Sequence, residues 1–132
     1  MATNRNTRQW SDLNLLFTTH PATADITKKT DEEAVKASLK NLISTKNYER
    51  PFHPEIGCQI FSILFEPFTP VTVQVMKKTI ADVINKFEPR VVLLDVRIQD
   101  RPDNNDLTVT IFFKLLNSEK PVTLTTSISR VR

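Results

Sequence analysis

The residue types that most often carry catalysis or bind metals are sparse in this chain of 132 residues. It has two histidines, His20 and His53, each followed by a proline, and one cysteine, Cys58. A zinc site needs several such ligands at close spacing, so no metal site is predicted. No local signature of an activated nucleophile is present either. A single cysteine cannot form an internal disulfide, which fits assembly in a reducing cytoplasm.

Carboxylates are the other residues that could carry chemistry. Glycosidases cleave with two carboxyl groups, and Glu55 with Glu66 is one pair that could serve. Each stands beside a proline at an expected helix end, where helix capping and ion pairing are the commoner roles. We therefore expect no catalytic residue, and glycan hydrolysis remains as the enzymatic alternative.

The tripeptide Glu88-Pro89-Arg90 follows the best amphipathic helix in the chain. A carboxylate in the last turn of a helix faces the partial negative charge of unpaired carbonyls, so Glu88 needs a cation nearby. Pro89 fixes its own φ and excludes Glu88 from the helical region, and Arg90 supplies a planar charged group just after the turn. The junction is therefore either locked internally or a docking point for another protein.

Overall composition excludes several classes of function. The formal charge of +3 is much smaller than the charge of nucleic-acid binders with a dense basic patch. The excess of basic residues nevertheless leaves nucleic-acid binding open as a hypothesis. One glycine, Gly57, cannot build a phosphate-binding loop, so no nucleotide cofactor is expected. The apolar runs are too short to span a membrane, and the start of the chain lacks the apolar stretch of a secretory signal.

Aromatic side chains could suggest stacking on nucleic-acid bases. Most of them lie inside apolar periodic segments, which favours packing in the core. The set comprises Tyr48, Phe52, Phe61, Phe65, Phe68, Phe87, Phe112 and Phe113.

Residues 1–28 are polar and are predicted to form an N-terminal arm, and residues 29–132 a single domain. An apolar island inside the arm either folds back on the body or binds a partner. Its members are Trp10, Leu13, Leu15, Leu16 and Phe17.

Three helices are predicted after the arm. Thr30 with Glu33 forms a capping box for a helix that ends near Thr45. A second helix, buried, is predicted over the apolar residues 56–65, with a strand as the alternative. The third begins at Thr69 or Thr72 and carries an apolar stripe at spacings of three and four. That stripe comprises Val73, Met76, Ile80, Val83, Ile84 and Phe87.

The hydrophobic period then changes to two, which predicts three strands. The alternating sets are Val92, Leu94, Val96 and Ile98, then Leu107, Val109, Ile111, Phe113 and Leu115, then Val122, Leu124, Thr126 and Ile128. The turn at residues 100–106 relies on Asn and Asp for positive φ. The fold class is therefore α+β, with about three helices followed by a three-stranded antiparallel meander.

The last strand is polar and small on its second face, at Thr123, Thr125, Ser127 and Ser129. Arg130 and Arg132 are the charges that would discourage pairing at this edge. The strand is either a solvated edge or a site where another chain adds a strand.

Three motifs in order, at residues 49–57, 64–67 and 88–90, resemble the small baseplate wedge subunit of contractile-tailed phages. This family, also called the sheath initiator, is related to a baseplate component of type VI secretion systems. The likeness extends from Trp10-Ser11-Asp12-Leu13 to the terminal strands. Members have also been described as lysozyme-like.

The resemblance implies a structural role in the tail baseplate, assembled in the host bacterial cytoplasm, without a cofactor. The partners it implies are the helical core bundle of other wedge proteins and the tail sheath, and neither nucleic acid nor a membrane. Glu88, Pro89 and Arg90 become candidates for wedge contact. Docking and an internal lock can coexist if Arg90 braces the kink while Glu88 faces outward. The candidates for sheath strand addition are Val122, Thr123, Leu124, Thr125, Thr126, Ser127 and Ile128.

One position departs from the family pattern. The family often has glycine just before the Glu49-Arg50-Pro51-Phe52 stretch, where this chain has Tyr48. A bulky residue at positive φ is costly, so the loop is expected to use Asn47 for the turn or to take another path.

Overall fold

The computed structural model describes residues 10–130, in which three helices and five strands form. These residues divide into two compact units, 10–37 and 38–130, and the division falls within the first helix. The first nine residues of the predicted arm and Arg132 lie outside the described residues.

The first unit contains a short hairpin that the sequence did not indicate. Strand β1 (Ser11–Leu13) pairs antiparallel with β2 (Lys28–Thr30). Asn14 is buried beside it, and its side-chain amide donates to the hydroxyls of Thr18 and Thr27 at 2.8 and 3.0 Å. Strands of three residues are too short to show alternation, which is why the pattern missed them.

The apolar island of the first unit is turned toward solvent. A polar side chain, Asn14, takes the interior position, and the neighbouring apolar side chains are between 60 and 77% exposed. They are Leu13, Leu15, Leu16 and Phe17.

The bounds of helices α1 (Asp31–Ser44) and α3 (Pro70–Phe87) match their predictions closely. Thr69 caps α3 by accepting a hydrogen bond from Thr72 N, and Pro70 occupies the first turn, where its missing N–H is harmless. The buried face of α1 comprises Ala34, Val35, Leu39, Leu42 and Ile43. The buried apolar residues of α3 are Met76, Ile80 and Ile84.

The segment at residues 56–65 is not the long buried helix that was predicted. Helix α2 covers four residues, Ile60–Ile63. Gly57 prevents an earlier start because its φ is +155° and it lies against the preceding loop. A Cβ there would be 2.7 Å from the carbonyl carbon of Lys46, so the close approach requires glycine.

The predicted meander is confirmed. Strands β3 (Val91–Arg101), β4 (Asp106–Leu115) and β5 (Pro121–Ser129) pair antiparallel in the order β3-β4-β5. Asn105 adopts a φ of +54° in the turn before β4, as expected for asparagine. The predicted inner face of β4 is buried along its whole length, from Leu107 to Leu115, and α3 packs against β3.

The alternation predicted for β3 fails in its first half. Leu93 pairs with Phe113 and Asp95 with Phe112, so Leu94 is an extra residue in a β-bulge. A bulge shifts the facing of the residues on one side of it. Val92 and Leu94 are consequently exposed, at 38 and 53%, whereas Val96 and Ile98 are buried as predicted.

Candidate functional site

The junction between α3 and β3 is held by a buried carboxylate. Glu88 follows the last residue of α3, with its N–H still donating to Ile84 O at 2.9 Å. Its side chain is 4% exposed and pairs with Arg90, Nε lying 2.6 Å from Oε1 and Nη2 2.9 Å from Oε2. This two-point geometry is the strong form of an arginine–carboxylate pair.

Ser38 completes the site from a different helix. Its hydroxyl donates to Glu88 Oε2 at 2.5 Å, which links α1 to the junction. The carbonyl of Arg90 in turn accepts a hydrogen bond from Leu116 N, just after β4. The junction therefore joins α1, α3 and the sheet. Nothing in the sequence near Ser38 pointed to this role, because the contact spans 50 positions.

Glu88 is ionised at neutral pH despite its burial. Burial alone would raise the pKa of this carboxyl. The hydrogen bonds from Arg90 and Ser38 and the Arg90 charge outweigh that effect and hold the pKa below its usual value.

The idea that Glu88 faces outward is therefore wrong, because its carboxylate is the internal half of the lock. Pro89 is exposed and the side chain of Arg90 is 21% exposed. A docking role for the tripeptide remains a prediction that depends on the surface of these two residues.

Strand β5 lies at one edge of the sheet, and within the described residues β4 is its one neighbouring strand. Its register with β4 runs without a shift from Lys114↔Pro121 to Asp106↔Ser129. The predicted two faces are present. Val122, Thr126 and Ile128 are buried, Leu124 is partly buried, and Thr123, Thr125, Ser127 and Ser129 are exposed.

The hydrogen bond made by Arg130, just after β5, shows which main-chain groups of β5 face away from β4. Arg130 N donates to Asn105 O at 2.9 Å, which points this N–H toward β4. Successive residues of a strand point their N–H and C=O groups to opposite sides. Thr123, Thr125 and Ser127 therefore direct theirs to the open edge. Pro121 also faces the open edge, so its lack of an N–H removes no hydrogen bond to β4.

The other edge, β3, is interrupted by the bulge at Leu94, a feature that discourages strand pairing. Of the two charges expected to block pairing at β5, Arg130 is engaged elsewhere. Arg130 Nη2 lies 2.9 Å from Asp100 Oδ1 without hydrogen-bond alignment, and both side chains are mostly buried. β5 is thus the regular edge of this sheet.

The aromatic side chains divide between core and surface. Phe113 is fully buried, as predicted. Core packing is wrong for Tyr48, Phe52, Phe65 and Phe68, which are 82, 97, 54 and 39% exposed. Tyr48 also adopts a φ of +68° itself, so the turn is not transferred to Asn47.

The two candidate catalytic carboxylates are not brought together. Glu55 lines a cavity of about 240 Å³ beside the end of α3, and Glu66 lines a different one of about 680 Å³ near Arg130. A hydrogen bond with its own backbone lowers the pKa of Glu55, helped by His53 at 3.2 Å. A general acid needs the opposite shift.

Residues 10–130 contain neither a metal-binding cluster nor a membrane-spanning helix. No cluster of three or more His, Cys, Asp and Glu side chains able to hold a metal ion occurs there. No helix in that part of the chain has the length and apolarity needed to cross a bilayer. Burial of the Cys58 thiol raises its pKa.

Comparison with known proteins places these surfaces in context. The family model described as Baseplate wedge protein gp25 matches residues 29–120. The baseplate wedge protein gp25 of Enterobacteria phage T4 is 32% identical over 94 residues, 71% of each chain. The family match ends just before β5.

Two solved structures share the fold. A proposed tail lysozyme from Geobacter sulfurreducens has a TM-score of 0.71 at 22% identity, over 76% of this chain and 92% of that one. A chain in the baseplate of the anti-feeding prophage has a TM-score of 0.64 at 21% identity, over 93% of this chain and 87% of that one.

Proposed function

The chain belongs to the gp25 family of baseplate wedge proteins of contractile tails, and we propose that it is a non-enzymatic subunit that starts the tail sheath. In this role it binds neighbouring wedge proteins and offers β5 to a strand of the first sheath ring. It works in the baseplate of the tail and is assembled there in the bacterial cytoplasm.

The observation that carries the proposal is the open, regular edge of β5. Strand addition needs unpaired main-chain groups on a strand without a bulge or an inserted charge. At Thr123, Thr125 and Ser127 those groups face outward beside small polar side chains, which leave room for an incoming strand. The other edge of the sheet lacks this regularity.

Attachment to the wedge is assigned to the exposed surface of the α3–β3 junction. The Glu88–Arg90 pair fixes the direction of the chain there, which holds Pro89 at the surface in one position. A rigid surface loses little entropy when it binds. Glu88 supports this interface from within and does not touch the partner.

A lysozyme activity has no support from these carboxylates. Glu55 and Glu66 line separate cavities, and the pKa of Glu55 is shifted away from that of a proton donor. The structure described as a proposed tail lysozyme is 22% identical, a level at which the likeness concerns the fold alone.

A density map of the assembled baseplate tests the proposal. We expect an additional strand, from the sheath protein, hydrogen-bonded along residues 123–127 of β5, and a wedge protein in contact with Pro89. A map of a baseplate carrying its first sheath ring in which β5 still faces solvent would contradict the sheath role. A map in which no wedge protein contacts Pro89 would contradict the wedge assignment only.

A further inference from the structure

The loop at residues 46–54, between α1 and α2, presents two large aromatic rings to solvent. Tyr48 is 82% exposed and Phe52 is 97% exposed. Single exposed apolar residues are common on protein surfaces. Two aromatic rings four positions apart, both almost fully solvated, call for a further explanation.

Both rings are carried by strained backbone. Tyr48 and Phe52 each have a φ of +68°, a region that disfavours every residue with a Cβ, and bulky ones in particular. Glycine would fit both positions without this cost. A residue with a Cβ at either position therefore costs stability, and the exposed rings recover little of it through burial.

The loop that carries the rings is held firmly at its base. Tyr48 N donates to Pro54 O at 3.0 Å, and Lys46 N donates to the Glu49 carboxylate at 2.8 Å. Cys58 N donates to Thr45 O at 2.8 Å, and Gly57 lies against the backbone of Lys46. These contacts fix the backbone from which both rings project, so the rings are preorganised for contact.

The loop is also continuous with the surface assigned to the wedge. A cavity of about 240 Å³ separates it from the last turns of α3 and is lined from both sides. Asn47, Glu55 and Gly57 line it from the loop and its continuation, and Lys86 and Phe87 from the helix end that leads into Pro89. One partner can therefore cover the loop and the junction together.

We propose that this loop is a second anchor for the wedge protein that binds at Pro89, with Tyr48 and Phe52 entering apolar pockets on that protein. The inference rests on the proposed function and names two further contact residues for it. Buried aromatic side chains near the centre of an interface commonly contribute much of its affinity. Strained backbone conformations cluster at functional sites.

A protein is favoured over nucleic acid as the occupant by the charge of the loop. Residues 46–55 contain two basic side chains, Lys46 and Arg50, and two acidic ones, Glu49 and Glu55. Base stacking on exposed rings is normally accompanied by a positive groove for phosphates, whereas the charges of residues 46–55 cancel.

Glycine substitution gives a test that separates binding from folding. The double variant Tyr48→Gly and Phe52→Gly removes both rings and the backbone strain together. We expect its Tm to be unchanged or up to about 4 °C higher. Its affinity for the co-expressed neighbouring wedge proteins of the same tail should fall at least tenfold. A second variant, Tyr48→Asn with Phe52→Asn, repeats the measurement with another residue that tolerates positive φ.

The control is Val71→Ser, which removes a 74% exposed apolar side chain from the opposite end of α3 and should leave capture unchanged. Full capture by both double variants would overturn this inference and leave the wedge role intact. A fall in Tm would show that the rings support the fold and would overturn it as well. If the unaltered chain captures no wedge protein, the proposed function itself fails.

Discussion

Single residues decide how the junction between α3 and β3 is held together. The buried Glu88 receives two contacts from Arg90 and one from Ser38, so its charge is compensated on both oxygens. From sequence, the internal lock and the docking point were both open. The structure shows that the carboxylate belongs to the lock. The proposed binding role is therefore left to the surface of Pro89 and Arg90.

Arg90→Ala should therefore destabilise the isolated protein strongly. Removing one partner of a buried ion pair leaves an uncompensated charge, which typically costs about 3–5 kcal/mol of the free energy of unfolding. Denaturant unfolding of the purified chain measures this. The matched control is Arg97→Ala, whose pair with Asp95 is exposed and should contribute about 1 kcal/mol or less. Equal, small effects of the two substitutions would show that Glu88 does not depend on Arg90.

The lowered pKa of Glu88 gives a pH dependence of known sign. Its contribution to stability is complete above the pKa of an unfolded glutamate, about 4.3, and is lost as the pH falls through the lower folded pKa. Between pH 7 and pH 3, the Tm of the unaltered chain should fall more steeply than that of Glu88→Gln. Parallel curves for the two proteins would contradict the assignment.

Whole elements differ in how well the sequence predicts them. Helix α3 and strand β4 are long, and their apolar residues follow one period without interruption, so both were predicted closely. At two other places a local backbone feature made the same reasoning fail. The close approach at Gly57 shortened α2, and the bulge at Leu94 turned Val92 to solvent. Neither feature changes the spacing of apolar residues in the sequence, which is the signal that predicts helices and strands.

The candidate sites show a similar division. The β5 edge was foreseeable, because its two faces and its place at the end of the meander are properties of pattern and order. The aromatic loop was not, since Tyr48 and Phe52 differ from core aromatics in backbone φ and not in residue type. Contacts such as Ser38 with Glu88 depend on tertiary packing and leave no local signal.

At the scale of the molecule, three surfaces are proposed for assembly, all within the unit at residues 38–130. They arise from separate parts of the chain. The junction and the aromatic loop adjoin the end of α3, and β5 forms the open edge of the sheet. We therefore expect substitutions to alter the proposed wedge attachment and the proposed sheath initiation separately. The family match extends over residues 29–120 and so covers the first two surfaces and not β5.

The most direct test of the central claim is sheath assembly on baseplates that carry Thr125→Pro. Proline at this position removes an N–H that faces the open edge and leaves the hydrogen bonds to β4 in place. We predict baseplates that contain the variant but bear no sheath, while Thr125→Ala, which keeps the N–H, supports sheaths of normal length. Normal sheaths on baseplates containing Thr125→Pro would contradict the account.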